Sequence, residues 1–557
     1  MIEERLLELI KAALETAAGE LGFEGRPPEP ELTPTKKKEH GDFATNVALV
    51  LASAAGMDQR QVAEAIRSAF PEAPFVERVE VAGPGFLNIF VTDGWLYDAL
   101  RDVVAKGTSY GAGEALGKRA QVEFVSANPT GPLHVGHARN AVLGDAIARL
   151  LEHAGWSVER EYYYNDAGGQ MDRFGASVEA RYLTRCGIET PIPEDGYHGS
   201  YIDALALELQ EQVGSAYVDM GHEERLPLVR QAAAERVLRW IDRSLERFGV
   251  VFDTYMSEAS LAEKHEIEQA IERLREAGHI YEEDGAVWFR STTFGDDKDR
   301  VVIRSNGMHT YFAADIAYVV DKFSRGFDHL IYVWGADHHG GVVRVKGAAQ
   351  ALGHDPDAAE IVLYQWVAFL RDGAPVPMSK RAGSFISLDQ LIDEVGTDAA
   401  RFTLLQFSND STVNFDIEVV KQQTMENPVY YVQYGHARIA SILRKAESQG
   451  IALKAIADVD LSLLTHDSEL ELLRALAEVP AKLAVAAEQR APHRLTHTSQ
   501  DLAARFHRFY AECRVVSDDE ALTQARLWLA SGTKQVIANL LGLLGVSAPE
   551  VMDRVDG

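Results

Sequence analysis

Residues 122–140 read VEFVSANPTGPLHVGHARN, and their pattern sets the interpretation of the whole central region. The stretch begins as an apolar strand and continues through a loop of turn-forming residues at 128–132. A helix is then expected from about Gly136 to Ala154, and a second strand over 158–164. This order of strand, loop, helix and strand is typical of parallel sheets with helices on their faces.

The same alternation returns further along the chain. HLIYVWG (329–335) predicts a strand, a helix follows through Gly347, and IVLYQWV (361–367) predicts another strand. We therefore expect a doubly wound α/β fold built on a parallel sheet. Between its halves, residues from about 185 to 300 are mostly charged helix, which predicts an insertion because this stretch exceeds one crossover connection.

The two ends of the chain differ from this central region. Residues 76–91 alternate between apolar and polar types around a Gly-Pro-Gly turn, and helical spacing flanks them. Beyond about residue 420 the strand signals stop, and Leu, Ala and Arg recur at helical spacing. We expect an α/β module over 1–110, a Rossmann-type α/β domain over 111–420 and an all-α domain over 421–557.

Composition excludes several classes of protein. The chain has 557 residues, of which 46% are hydrophobic and 25% charged, so several folded domains are expected rather than a disordered chain. The N-terminal segment carries acids where a secretory signal carries bases, and no apolar run reaches the roughly 18 residues of a membrane-spanning helix. Cys186 and Cys513 stand outside any Cys/His cluster, so we expect no structural zinc, no disulfide framework and a cytoplasmic location.

The net charge of −29 at pH 7 argues against nonspecific binding of polyanions. The charge is unevenly distributed, because residues 421–557 carry 15 Lys and Arg against 17 Asp and Glu. The acidity therefore belongs to residues 1–420, and a localised nucleic-acid surface remains compatible with the composition.

The sharpest motif is His134-Val-Gly-His137, which follows the first strand and opens the helix. Unpaired N–H groups at a helix N-terminus attract phosphates, and Gly136 lets a flat base or ribose approach the backbone. Two histidines three residues apart can both donate hydrogen bonds from one turn. The set suits a nucleotide triphosphate, although by itself the tetrapeptide is explained more simply as a pair of surface histidines.

A second motif, Met378-Ser379-Lys380-Arg381, stands in a loop rich in Pro and Gly. Basic residues on a mobile loop can close on the transferring phosphates and neutralise developing charge. Alone, this segment would be interpreted as a solvated basic turn. Both motifs in this order on an α/β scaffold are hard to attribute to chance.

On these motifs the chain resembles the class I aminoacyl-tRNA synthetases, whose signatures are His-Ile-Gly-His and Lys-Met-Ser-Lys-Ser. It departs from the second signature at Pro377, where a lysine is usual, and has Gly131 where arginyl enzymes often place a substitute lysine. Among these synthetases it is most similar to the arginyl-tRNA synthetases, through HGDFATNVAL (40–49), YNDAGGQ (164–170), TYFAADIAY (310–318) and GADHHG (335–340).

The resemblance implies ATP-dependent activation of L-arginine to arginyl-adenylate, with Mg²⁺, and transfer to the 3′-terminal ribose of tRNA(Arg). AMP and pyrophosphate would be released, and a monomer is implied. His134 and His137 would stabilise the triphosphate, and Lys380 would act from its loop. The residues implied at the ATP site are Gly136, Gly335, Asp337, Met378, Ser379 and Arg381.

Binding of a guanidinium requires carboxylates in bidentate geometry within a shaped pocket. The resemblance places Glu123, Tyr311 and Asp315 around the arginine side chain. It places Asn128 near the amino acid end, and we assign His338 to the same site. Tyr311 and Asp315 share a helix face if a helix starts at Tyr311. Without the resemblance, Glu123 and Asp315 would be interpreted as acids that bind no ligand.

Gly335 and Asp337 follow a strand at the carboxyl edge of the expected sheet, where open α/β folds bind ligands. An aspartate there can accept hydrogen bonds from both ribose hydroxyls. The alternative is a metal site on Asp337, His338 and His339. No further ligand cluster accompanies these residues, so we expect no metal site on the protein.

RNA contacts are the least defined by the sequence. The resemblance implies that the N-terminal module contacts the tRNA elbow, and this module holds the basic triplet Lys36, Lys37 and Lys38. It also implies that the all-α domain binds the anticodon, where Tyr434 and Arg438 belong to a mixed aromatic and basic cluster. Aromatic rings beside arginines can stack unpaired bases, although half of such residues are expected in the core.

Three alternatives remain open from the sequence. They are a class I synthetase for another amino acid, a small-molecule nucleotidyltransferase with an H-x-G-H motif, and an RNA-binding relative that has lost catalysis. The second has no use for the helical tail. Intact His134, His137 and Lys380 speak against the third.

Overall fold

The structure is a computed structural model that describes residues 2–35, 37–166, 168–376 and 385–552. The strands are β1 (Thr33–Pro34), β2 (Phe43–Thr45), β3 (Val76–Ala82), β4 (Phe86–Val91), β5 (Arg119–Glu123), β6 (Ser157–Tyr164), β7 (Thr254–Ser257), β8 (Ile280–Glu283), β9 (Ala286–Phe289), β10 (Arg300–Ile303), β11 (His329–Gly335), β12 (Ala359–Tyr364), β13 (Val367–Arg371), β14 (Ala374–Pro375) and β15 (Val413–Asp416).

The helices are α1 (Ile2–Glu20), α2 (Val47–Ala55), α3 (Gln59–Ser68), α4 (Gly94–Lys106), α5 (Ala138–His153), α6 (Gly169–Arg185), α7 (Ser200–Val213), α8 (His222–Arg247), α9 (Glu258–Glu263), α10 (Glu266–Glu276), α11 (Tyr311–Ser324), α12 (Val342–Ala351), α13 (Leu388–Val395), α14 (Thr397–Leu405), α15 (Ile417–Val420), α16 (Pro428–Ser448), α17 (Asp467–Glu488), α18 (His493–Glu512) and α19 (Glu520–Leu543). None of these helices, within the described ranges, combines the length and apolar character needed to cross a membrane.

The fold divides into two compact units, each assembled from separate stretches of the chain. One unit comprises residues 1–111, 435–481 and 501–537, and the other comprises residues 112–434, 482–500 and 538–557.

The unit that contains the N-terminal segment has a four-stranded antiparallel sheet in the order β1-β2-β4-β3. β3 and β4 pair as a hairpin, as their alternating pattern predicts. Helix α1 buries Leu6 and Ile10, so its apolar stripe lies in the core of this unit. The buried Tyr110 hydroxyl donates to the Leu476 carbonyl at 3.0 Å, which joins this module to a segment of α17 in the same unit.

The other unit is built on a five-stranded parallel sheet in the order β12-β11-β5-β6-β7. The chain enters at the central strand β5, proceeds through β6 to the edge strand β7, and returns to the opposite side with β11 and β12. This doubly wound order reverses direction between β5 and β11, and the carboxyl ends of those two strands border a crevice suited to ligands.

Two local predictions differ from the structure. The stretch predicted as a helical insertion contains β7, which is an edge strand of the parallel sheet, and the hairpin of β8 and β9. β7 has four residues between charged helices, too few to give a strand pattern. The run at 361–367 is divided, because Tyr364 ends β12 and Val367 begins β13 in a different sheet.

A buried arginine fixes the helices of the parallel-sheet unit to one another. The guanidinium of Arg401, on α14, has no solvent exposure and pairs with Asp145 of α5. It also donates to the carbonyls of Leu544 (3.0 Å) and Phe248 (2.9 Å). A Cβ on Gly545 would lie 2.1 Å from this guanidinium, so only glycine leaves it room.

Arg401→Leu should lower the free energy of unfolding by about 3 kcal/mol, because it removes the buried partner of Asp145 and leaves carbonyls unpaired. Arg247→Leu is the matched control, since Arg247 pairs with Asp389 and Asp393 at the surface. Its loss should stay below about 1 kcal/mol. Chemical denaturation of both variants measures the difference, and equal losses would contradict the prediction.

Candidate active site

The predicted site residues of the central region gather at the carboxyl edge of the parallel sheet. Glu123 is the last residue of β5, and Gly335 is the last residue of β11. Backbone pairing between these strands ends with Glu123 opposite Tyr332. Beyond this point the two strands no longer pair, and the reversal of the sheet order marks this edge as the expected ligand cleft.

His134 and His137 lie at a short 3₁₀ turn, Val135–His137, that leads into α5. Their ring centroids are 4.0 Å apart. The Gly136 N–H donates to Nδ1 of His134 at 3.1 Å, so the proton of the neutral His134 ring resides on Nε2. The sequence pattern suggested that the Gly136 N–H would be unpaired, but it is hydrogen-bonded within the turn. The imidazole rings can supply hydrogen-bond donors instead.

Phe385 and Ile386, which follow the second motif in the chain, contact the turn that carries these histidines. Val135 N–H donates to the Ile386 carbonyl at 3.0 Å, and the Phe385 ring meets the His134 ring edge-on at 6.2 Å. The predicted Met378, Ser379, Lys380 and Arg381 lie outside the described residues. The first described residues after them border the His134 turn.

The arginine pocket predicted around Glu123 has a buried ionic floor. Glu123 is 5% exposed, and its Oε2 accepts from Nζ of Lys322 at 2.5 Å. Its Oε1 accepts from the Ser126 hydroxyl at 3.1 Å. Lys322 has no solvent exposure and lies over the rings of Tyr318 and Tyr332, at 4.2 and 3.9 Å from their centroids. These contacts hold the Glu123 carboxylate in one orientation.

Asp315 faces the cleft from α11, one turn after Tyr311. The helix begins at Tyr311, which meets the condition for a shared face, and both side chains are exposed. Surrounding protein, together with the carboxylates of Glu258 and Glu123, raises the pKa of Asp315 to about 7, while Arg344 opposes this shift. Water still reaches the side chain, as expected for a residue in the wall of an open cleft.

Glu258 is a further acid of this pocket that the sequence reasoning missed. It is the first residue of α9, directly after β7, and its carboxylate accepts from the Tyr163 hydroxyl at 2.7 Å. Burial raises the pKa of Glu258, with a further contribution from Asp166. An acid at the carboxyl end of a parallel strand is a signal for this position, but it depends on recognising β7 as a strand.

The pocket therefore brings carboxylates together, and this raises the pKa values of Asp315 and Glu258. A ligand with a delocalised positive charge and several N–H donors opposes this shift and pairs with more than one acid. A guanidinium meets both requirements.

Asn128 joins the segments that border this pocket. Its Nδ2 donates to Oε1 of Gln170 at 2.8 Å, and its Oδ1 accepts from the Asn165 N–H at 3.2 Å. Gln170 in turn donates to the Tyr197 hydroxyl at 3.2 Å. The asparagine thus holds the YNDAGGQ segment against the loop that follows β5.

Gly335, Asp337 and His338 lie on the other side of the cleft. A Cβ on Gly335 would lie 2.5 Å from Oδ1 of Asp337, so the aspartate lies directly against this glycine. Asp337 and His338 are both exposed, with 3.5 Å between Oδ2 and Nε2. Within the described ranges, no group of three or more His, Cys, Asp or Glu residues could hold a metal ion.

The predicted RNA-binding residues are distributed over both units. Lys37 is exposed and lies 3.3 Å from a carboxylate oxygen of Glu39. Lys36 and the side chain of Lys38 lie outside the described residues. Tyr434 and Arg438 belong to α16, and the Arg438 guanidinium lies 4.3 Å from the centroid of the Tyr510 ring. Three neighbouring aromatic residues in the sequence are buried, namely Tyr430, His436 and Phe509.

Comparison with known proteins places these features in a family. Three family models match successive parts of the chain: the arginyl tRNA synthetase N terminal domain at residues 4–91, the class I (R) tRNA synthetase catalytic domain at 99–441 and the DALR anticodon binding domain at 432–552. The fold and the site define a class I aminoacyl-tRNA synthetase.

Full-length relatives identify which one. The arginine–tRNA ligase of Heliobacterium modesticaldum is 47% identical over 99% of both chains, and that of Moorella thermoacetica is 49% identical over 97% of both. The chain belongs to the arginyl-tRNA synthetase family, and the resemblance predicted from the motifs is confirmed. These matches do not favour a synthetase for another amino acid or an H-x-G-H nucleotidyltransferase.

Solved structures show the same fold. The arginyl-tRNA synthetase of Thermus thermophilus superposes with a TM-score of 0.76 at 24% identity, covering 99% of this chain and 100% of that one. The predicted fold class is confirmed: a Rossmann-type parallel sheet, an N-terminal α/β module and a C-terminal helical domain.

Arginine affinity should rise with pH through about 7. Asp315 attracts a cation only when ionised, and with a pKa of about 7 its carboxyl group is largely protonated at lower pH. Calorimetric titration with arginine between pH 6 and 8 should therefore give a Kd that falls as the pH rises. Asp315→Asn should weaken binding by about 2 kcal/mol and remove most of this dependence.

Two further variants sharpen the measurement. Glu258→Gln should move the midpoint of the profile to lower pH, because it removes a negative charge that raises the pKa of Asp315. Asp357→Asn, which changes an exposed carboxylate paired with Lys346, should leave the profile unchanged. A flat profile in the unaltered protein would contradict the assignment of Asp315 to the arginine pocket.

Proposed function

We propose that this member of the arginyl-tRNA synthetase family activates L-arginine with ATP and transfers it to the 3′-terminal ribose of tRNA(Arg) through the cleft at β5 and β11. The observation that carries the proposal is the pocket of Glu123, Asp315 and Glu258 beside the His134 turn. A carboxylate pocket suits a guanidinium, and the adjoining histidines suit a triphosphate.

The reaction needs positioning and charge neutralisation rather than a nucleophile of the protein. A carboxylate oxygen of arginine attacks the α-phosphorus of ATP, the bond to the bridging oxygen breaks, and pyrophosphate leaves. A ribose hydroxyl of tRNA then attacks the carbonyl carbon of the adenylate and AMP leaves. His134 donates from Nε2 to the phosphates, and His137 and Lys380 neutralise the charge that develops there.

The remaining assignments are those that the family resemblance implies. Glu123, Tyr311 and Asp315 hold the guanidinium, while Asn128 and His338 lie nearer the reacting end of arginine. The ATP contacts are Gly136, Gly335, Asp337, Met378, Ser379 and Arg381. Mg²⁺ enters as its complex with ATP, a mode that needs few protein ligands because the phosphates supply oxygens.

We extend the proposal to the whole chain as follows. Residues 1–110 contact the tRNA elbow through Lys36, Lys37 and Lys38. Residues 421–557 bind the anticodon loop through Tyr434 and Arg438, and residues 111–420 carry catalysis. The protein acts as a monomer in the cytoplasm. The pairing of Arg438 with Tyr510 supports this extension, because such a pair offers a stacking surface for a base.

Pyrophosphate exchange with each of the amino acids, with and without tRNA, tests the function. We expect exchange with arginine when tRNA is present, since arginyl enzymes usually need tRNA for activation. Exchange driven by another amino acid and absent with arginine would contradict the proposal.

Lys380→Ala should abolish arginine activation while leaving tRNA binding intact, because the lysine acts on the transferring phosphates. We expect a fall in kcat of about a thousandfold, comparable to the loss of a strong transition-state donor. Charging of bulk tRNA and a filter-binding assay measure the two effects separately. Lys346→Ala, at a partly buried lysine paired with Asp357, serves as the control and should charge normally.

A further inference from the structure

A buried asparagine spans the gap between the two strands that border the cleft. Asn140, on α5, is 7% exposed. Its Oδ1 accepts from the Val125 N–H at 2.6 Å, and its Nδ2 donates to the Val333 carbonyl at 2.9 Å. Nδ2 also lies 3.4 Å from the Tyr364 hydroxyl. The backbone partners fix the orientation of the amide, because an N–H only donates and a carbonyl only accepts.

The register of the sheet shows what this side chain replaces. β5 and β11 pair as far as Glu123 opposite Tyr332. In a parallel ladder extended beyond this pair, the Val125 N–H would donate directly to the Val333 carbonyl. The amide of Asn140 stands between these two groups and satisfies both, so the strands separate without leaving a buried N–H or carbonyl unpaired.

The same contact holds a strained turn. Val125 and Ser126 have φ angles of 65° and 44°, in the left-handed region that a β-branched residue rarely adopts. Through this turn the chain passes from Glu123 to Asn128. The Tyr162 hydroxyl donates to the Ala127 carbonyl at 2.7 Å and supports the turn from the β6 side.

The helix that carries Asn140 is itself firmly held. The neighbouring Arg139 is 2% exposed. Its guanidinium donates to the carbonyls of Gln365 (2.5 Å), Ser411 (2.8 Å) and Ser408 (2.8 Å). The first turn of α5 therefore provides a fixed support from which Asn140 can hold the two strands apart.

We infer that Asn140 is a positioning residue, which keeps β5 and β11 apart at the cleft and holds the Val125–Ser126 turn so that Glu123 and Asn128 are directed toward arginine. The inference rests on the proposed function, because it concerns the arginine pocket. Asn140 acts through the backbone and needs no contact with a ligand.

Four variants test this role: Asn140→Ala, Val125→Gly, the double variant, and Asn427→Ala. Asn427 is the matched control, because its Nδ2 bridges two backbone carbonyls, Val420 (2.9 Å) and Gln422 (2.8 Å), outside the cleft. Steady-state charging gives kcat and KM for arginine and for ATP. Thermal unfolding and amide hydrogen exchange of the segment 122–130 are measured on the same samples.

Asn140→Ala should lower kcat/KM for arginine about a hundredfold, mainly through KM, because a misplaced binding group costs this much. The KM for ATP should change by less than about threefold, and exchange over 122–130 should accelerate. Val125→Gly in the Asn140→Ala background should recover at least about tenfold, because glycine adopts the left-handed φ without strain. Asn427→Ala should lower the unfolding temperature and leave the KM for arginine within about twofold.

Either of two activity results would overturn the inference. One is an Asn140→Ala variant that behaves like Asn427→Ala, losing stability without an arginine-specific defect. The other is a double variant no more active than Asn140→Ala. If Asn140→Ala does not fold, the near-isosteric Asn140→Asp is measured instead and should show the same arginine-specific loss. Failure of the unaltered protein to charge arginine would count against the proposed function, whereas unchanged exchange over 122–130 would count against Asn140 alone.

Discussion

The ion pair between Glu123 and Lys322 is the interaction on which the pocket depends. A carboxylate at the centre of a parallel sheet is costly unless a buried cation compensates it. Lys322 supplies that charge from α11, with no solvent exposure, while two tyrosine rings cover its ammonium group. Asp315 belongs to the same helix. Helix α11 therefore supplies both the lysine that neutralises Glu123 and a second acid that can still bind a cation. The sheet can thus present acids to a substrate and remain a stable core.

The pocket also depends on the separation of β5 from β11. A continuous ladder at this edge would close the cleft, and an unpaired one would leave backbone groups buried without partners. The structure avoids both outcomes by inserting a side-chain amide between the strands. The strained turn that follows is confined to two residues, Val125 and Ser126, and is held from both neighbouring elements. Strain localised in this way is characteristic of functional sites.

The sequence was most informative where function depends on local chemistry. The strand, loop and helix around His134 were predicted from turn residues and periodicity, and the start of α11 at Tyr311 agrees with the Thr310 hydroxyl that caps it. Features that depend on distant segments could not be predicted. Glu258 joins the pocket only because β7 pairs with β6, and four residues between charged helices carry no strand signal. The left-handed φ of Val125 contradicts its local preference and accompanies the hydrogen bond from its N–H to Asn140. The hydrogen bond from the Gly136 N–H to His134 likewise depends on the side-chain rotamer of His134, which the periodicity of the sequence does not specify.

The contacts of Arg401 have a consequence for biosynthesis. Its guanidinium is satisfied in part by the Leu544 carbonyl, which lies 143 residues further along the chain. Domains commonly fold in order as the polypeptide emerges during translation. Here the helices behind the parallel sheet reach their final hydrogen-bonded arrangement only after the end of α19 has been synthesised. Ribosomes that stop within the helical tail would therefore release chains that contain every residue of the proposed cleft. In these chains the buried Arg401 would lack its Leu544 carbonyl partner.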